Sequence, residues 1–141
     1  MPYWRAYYHL VWATKDREPL IRSDLEDTLQ RSIRAQAHEE RALIHAVGFM
    51  PDHIHVVASI PPAVAVSSLV GKMKGGSSHL VNSLDGSPGS FRWQPEFGMV
   101  TFGEKALETV VDYALNQATR HASGQTWPTL ERYDDPKPRP S

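Results

Sequence analysis

The sequence contains no cysteine. That absence excludes a disulfide scaffold, a cysteine-ligated zinc or iron–sulfur site and a cysteine nucleophile. A charge of one sign is missing as well: 15 Lys and Arg stand against 16 Asp and Glu, a formal net charge of −1, so the chain as a whole exerts no pull on a polyanion or a membrane surface. Binding to such a partner has to come from local geometry. No apolar run approaches the roughly 20 residues of a membrane span, so no membrane partner is expected. The opening Met1-Pro-Tyr-Trp-Arg5 leads into a strand-like segment rather than a signal peptide, which makes a cytoplasmic location the expectation.

What is present suits one folded unit. A chain of 141 residues buries roughly 70% of the surface it exposes when unfolded, enough for a single core without a structural metal. Tyr7 to Thr14 is aromatic and β-branched and reads as a first strand. Ser23 and Glu26 form a capping-box pattern, and Leu25, Leu29, Ile33 and Ala37 recur at helical spacing, so a helix is expected over 24–40. Leu43 to Val47 reads as a strand, Gly48 to Asp52 as a turn, and His53 to Ile60 as a further strand closed by Pro61-Pro62. From Val66 to Val81 the apolar residues keep helical spacing, with Gly75-Gly76 as a weak point in the middle. A loop over 85–90, a strand from Gly98 to Phe102 and a helix over 105–122 complete the series. The order βαββαβα predicts an α+β fold, an antiparallel sheet with helices packed on it in the split βαβ manner. One domain over 1–125 is expected, followed by a Pro-rich tail over 126–141 that lacks the residues for a core.

Chemistry can be sought in two places. His53 and His55 alternate along a strand, so both imidazoles leave one face with Cα atoms about 7 Å apart, close enough to converge on one divalent cation. With seven histidines in the chain, such a pair also arises by chance, and two core histidines are the competing reading. In the last helix, Leu107, Val110, Val111, Ala114, Leu115 and Ala118 form an apolar stripe at about 100° per residue. Tyr113, Gln117 and Arg120 fall together on the other side. On this wheel Tyr113 lies outside the core, as a surface tyrosine or as a nucleophile aimed from a polar face. Lys72 and Lys74, beside the small backbone of Gly75 to Ser78, are either phosphate contacts on the histidine face or a solvated helix face. Trp12 and Trp93 suit the core better than base stacking, and His9, His38, His45, His79 and His121 are left as surface or capping residues, with His79 and His121 near enough to the functional segments to touch phosphate.

Taken in order, His9 to Lys15, Met50-Pro-Asp-His-Ile-His-Val56, Lys72-Met-Lys-Gly-Gly-Ser-Ser78, Phe91-Arg-Trp-Gln-Pro-Glu-Phe-Gly98 and Tyr113-Ala-Leu-Asn-Gln117 resemble the single-tyrosine HUH transposases of the insertion sequence 200/605 type. The resemblance runs from residue 7 to about residue 122. It implies a ferredoxin-like sheet, His53, His55 and Gln117 as ligands of Mg²⁺ or Mn²⁺, and Tyr113 as the nucleophile. It also implies cutting and rejoining of single-stranded DNA through a 5′ phosphotyrosine, recognition of DNA hairpins, and a homodimer whose active sites are shared between subunits. Lys72, Lys74 and Arg120 are then the candidate DNA contacts. The alternative is a noncatalytic hairpin-binding module on the same scaffold; a metal hydrolase using water would leave Tyr113 without a role.

Overall fold

The computed structural model describes residues 5–85 and 90–116. Along the chain run β1 (Tyr7–Ala13), α1 (Glu26–Glu39), β2 (Leu43–Met50), β3 (His53–Ser59), α2 (Val66–Asp85), β4 (Gly98–Phe102) and α3 (Leu107–Leu115). Short 3₁₀ turns at Lys15–Arg17, Ser23–Leu25 and Glu104–Ala106 precede the helices or link the strands. The strands form one sheet in the order β2-β3-β1-β4, and every neighbouring pair is antiparallel. Each helical crossover thus joins two strands that have a third strand between them, which is the split βαβ arrangement of an α+β, ferredoxin-like sheet.

Alternation along the strands gives the sheet two unlike faces. Leu10 and Trp12 of β1, Ile54, Val56 and Ala58 of β3, and Ile44 and Val47 of β2 point to one side, where Leu29, Ile33 and Ala37 of α1 and Leu69, Val70, Met73 and Val81 of α2 cover them. This is the main core. The other side carries His9, Val11 and Ala13 from β1 and His53, His55 and Val57 from β3, and α3 lies over part of it through Val110 and Ala114 against Ala46 and Val57.

One element departs from the sequence reading, and another holds through its expected weak point. β2 continues to Met50, where a turn at Gly48 was expected, and the reversal falls at Pro51-Asp52. A register shift between Ile44 and Ala46 moves the phase of β2 by one residue, so Val47 returns to the main core and Gly48 pairs with His55 on the opposite face. α2 runs unbroken through Gly75-Gly76. Burial of Met73, Ser77 and Val81 on either side of the glycines offsets their roughly 1 kcal/mol each of helix propensity, and a Cβ at Gly76 would fall 2.8 Å from the Gln36 side chain of α1. The expected loop over 85–90 lies mostly outside the described residues, as do the 126–141 tail and the end of the last helix beyond 116.

Candidate active site

The β2–β3 hairpin and β1 present three imidazoles side by side. His53 and His55 sit on the same face with ring centroids 5.2 Å apart, as the strand alternation required. His9, on the neighbouring strand, stacks on His55 at 4.9 Å, and its Nε2 lies 2.8 Å from His55 Nδ1. All three rings are buried. The sequence left His9 unassigned, among histidines read mostly as surface or capping residues. The signal that marks it is that it shares a face with Val11 and Ala13 in a strand with buried residues on both faces, two residues from Val11, which lies opposite His55.

Each histidine of the pair is held through Nδ1. His53 Nδ1 donates to Asp52 Oδ1 at 2.8 Å, and the same carboxylate receives Arg17 Nε at 3.0 Å and Nη2 at 2.9 Å through Oδ2. Burial alone pushes the Asp52 carboxyl up, but the hydrogen bond from His53 and the charge of Arg17 outweigh it and hold the group below its ordinary value. Arg17 reaches this position through a costly backbone. Asp16 (φ 55°, ψ 19°) and Arg17 (φ 55°) are successive left-handed non-glycine residues, a conformation that costs roughly 1–2 kcal/mol per residue. Thr14 ties the segment down: its N–H donates to Asp52 O at 2.9 Å and its Oγ1 to Glu18 O at 2.6 Å.

α3 brings the tyrosine to the histidines. The Tyr113 ring stands edge-on to His55 at 5.9 Å and to His9 at 6.4 Å, and it is fully enclosed. The wheel that set Tyr113 on the polar side is corrected here: Val110, Tyr113 and Ala114 face the sheet, while Leu115, assigned to the apolar stripe, is 59% exposed. The reason lies in the surface beneath the helix. A floor of imidazoles and one glycine is complemented by a phenol and a small alanine, not by leucine. Gly48 makes the close approach possible, since a Cβ there would come within 1.7 Å of the Ala114 carbonyl oxygen.

The lysines are elsewhere. α2 covers the main-core face, so Lys72 and Lys74 do not share the histidine face, a correction to the expectation that they do. Their placement follows from Met73 between them, which turns into the core and directs its neighbours sideways. Lys72 pairs with Glu40 at the end of α1. Lys74 donates to Gln94 O at 2.7 Å and Glu96 O at 2.9 Å, and burial pulls its ammonium down to about 8, with the Glu96 charge opposing. With Trp93 Nε1 donating to Ser77 Oγ and Asn82 bonding both ways to Phe91, Lys74 fastens the Phe91–Glu96 segment along α2. Trp12 is a core residue, edge-on to Trp93 at 6.0 Å. Gln117 and Arg120 lie outside the described residues.

The donor set fits a divalent cation. Both Nδ1 atoms are committed to hydrogen bonds, which fixes each ring and makes Nε2 the nitrogen each would turn to a metal, the usual support of a metal-bound histidine. Among the described residues, no group of three or more His, Cys, Asp or Glu is gathered to hold a metal, so a further ligand would have to be of another type, or come from outside these residues, or be water or substrate.

Residues 2–117 match the family of IS200-like transposases, and the chain belongs to it. It is 25% identical over 115 residues to the ISDra2 transposase TnpA of Deinococcus radiodurans, covering 78% of this chain and 82% of that protein. It is 32% identical over 75 residues to the transposase of insertion sequence element IS200 from Salmonella typhimurium, covering 53% of this chain and 49% of that one. Among solved structures, a Deinococcus radiodurans R1 protein described as a transposase superposes with a TM-score of 0.65 at 24% identity, covering 89% of this chain and 95% of that one. A REP-associated tyrosine transposase bound to a REP hairpin superposes with a TM-score of 0.63 at 20% identity, covering 91% and 81%. These two likenesses concern the fold. Among the described residues, no helix is long and apolar enough to cross a membrane.

Proposed function

We propose that this transposase cuts and rejoins single-stranded DNA with Tyr113 as nucleophile and a divalent cation, Mg²⁺ or Mn²⁺, held by His53, His55 and Gln117. The observation that carries the reading is the Tyr113 ring lying edge-on to His55, within one buried cluster that also contains His9 and His53. Such a cation, when bound, polarises the scissile phosphate and stabilises charge on the leaving oxygen. The Tyr113 oxygen forms a bond to phosphorus as the bond to the 3′ oxygen breaks, leaving a 5′ phosphotyrosine and a free 3′ hydroxyl; attack by a 3′ hydroxyl in the reverse sense restores both. Asp52 and His9 hold the two metal-ligating rings by Nδ1 throughout.

Because Tyr113 is enclosed, DNA reaches it when α3 lifts or changes seat. The apolar cluster that holds α3, Val110 and Ala114 on Ala46 and Val57 with Phe102, Ala106, Leu107 and Val111 packed against them, is smaller than the main core, which suits movement. Here the helix rests on its own sheet. The proposed working form is a homodimer in which α3 is seated on the sheet of the other copy, with hairpin-bearing single-stranded DNA as the substrate and Lys72, Lys74 and Arg120 as DNA contacts. That a structural neighbour of the same fold is bound to a REP hairpin supports the choice of substrate.

Labelled single-stranded DNA from the flanks of its own gene, incubated with the protein and Mn²⁺, should yield a slow-migrating covalent species on denaturing gels. Tyr113→Phe should remove that species. Cleavage that persists in Tyr113→Phe would point to water as the nucleophile, and hairpin binding without cleavage by the wild type would leave the noncatalytic module.

A further inference from the structure

The described residues hold His53 by a construction that the nucleophile and metal do not by themselves require. Asp52 is the residue immediately before His53, yet its carboxylate turns back onto that histidine's Nδ1 at 2.8 Å. Two bonds from Arg17 occupy its other oxygen, and Arg17 Nη2 also lies 3.5 Å from His53 Nδ1. A carboxylate can only accept, so its partner Nδ1 must carry the proton, and the ring's lone pair is then left on Nε2.

We infer that Asp52, oriented by Arg17, is a positioning residue that fixes His53 in the Nδ1–H tautomer and aims Nε2 into the site. The strained 16–17 backbone, pinned by Thr14 to both Glu18 and Asp52, is what delivers the guanidinium to this carboxylate. His55 is held differently, by the imidazole of His9 on the neighbouring strand. The two rings of the pair therefore have unlike supports: one a carboxylate anchored in a loop, one an imidazole anchored in the sheet. Loss of the loop support should affect His53 and leave His55 in place.

The assignment of His53 as a ligand rests on the function proposed above, so the test has one arm that needs no metal. In the metal-free protein at fixed pH, the ¹⁵N shifts of the imidazoles should show His53 protonated at Nδ1 in the wild type, a mixture of tautomers in Asp52→Ala, and an unchanged His55 in both. Mn²⁺ titration followed by electron paramagnetic resonance should show affinity lower by about 10–100-fold in Asp52→Ala. Asp52→Asn, whose amide oxygen can still accept, should recover part of both readouts. Arg17→Ala, at a half-exposed position, should shift them in the same direction by less, and Arg17→Lys should restore part of the loss. A wild-type tautomer together with wild-type Mn²⁺ affinity in Asp52→Ala overturns the inference. If the tautomer responds but the wild type takes up no Mn²⁺, Asp52 still positions His53 and it is the metal assignment that fails.

Discussion

The two faces of the sheet are built to different rules. On one side, α1 and α2 close over Leu10, Trp12, Ile54 and Val56 in a continuous apolar core. On the other, α3 sets its own Tyr113 phenol against the buried imidazoles of His9 and His55 and is held by a smaller apolar cluster. A protein gains stability from the first kind of surface and pays for the second by keeping polar rings out of water, each with a specific partner. Stability and chemistry are thus separated by the thickness of one sheet, and the alternation of residues in β1 and β3 is what separates them.

The sharpest way to break this contrast is to change one strand residue on each face. Trp12→Ala empties the middle of the main core and should lower the unfolding free energy by about 3–5 kcal/mol, measured by urea denaturation. Gly48→Ala comes next. Its new methyl group meets backbone, which cannot rotate away, so α3 has to shift; we expect a loss of about 1–3 kcal/mol together with loss of covalent adduct formation. Retention of both stability and activity would show that α3 does not work from this seat.

His9→Phe keeps a ring in place but removes the partner of His55 Nδ1, at a cost of about 1–3 kcal/mol for the group left unsatisfied. Its larger effect should be on Mn²⁺ affinity, the reverse of Trp12→Ala, where metal binding per folded molecule should persist. The smallest effect concerns Lys74. Its folded value of about 8 lies below the ordinary lysine value of about 10.4, so between these limits the unfolded chain holds a proton that the folded chain has released. Lys74 therefore makes stability rise with pH across that window, and a stability–pH curve of Lys74→Met should lack that component of the rise.

Some of the site was legible from spacing alone. The His53–His55 pair required only the period of a strand, and β1, β3 and α1 were recognisable from runs whose local preference and burial agree. Tyr113 was singled out in the sequence but assigned to the wrong side of its helix, because the wheel assumes that the inward surface is apolar, and here it is not. Gly48 was misread for a related reason. Glycine in a strand pattern marks either a turn or a close approach, and only the helix above it distinguishes the two. Lys74 has the sequence appearance of a phosphate contact, while the acceptors that engage it, the Gln94 and Glu96 carbonyls, are 20 and 22 residues away along the chain.

The sequence by itself determined the series of strands and helices, the shared face of His53 and His55, and the motifs that set the chain among IS200-like transposases, since each of these depends on residue type and short-range period. The tertiary structure decided that His9 supports His55, that Arg17 and Asp52 support His53, and which side of α3 looks inward. Those outcomes depend on which surfaces meet across the sheet, and contacts between residues 35 to 46 positions apart leave no periodic trace in the chain.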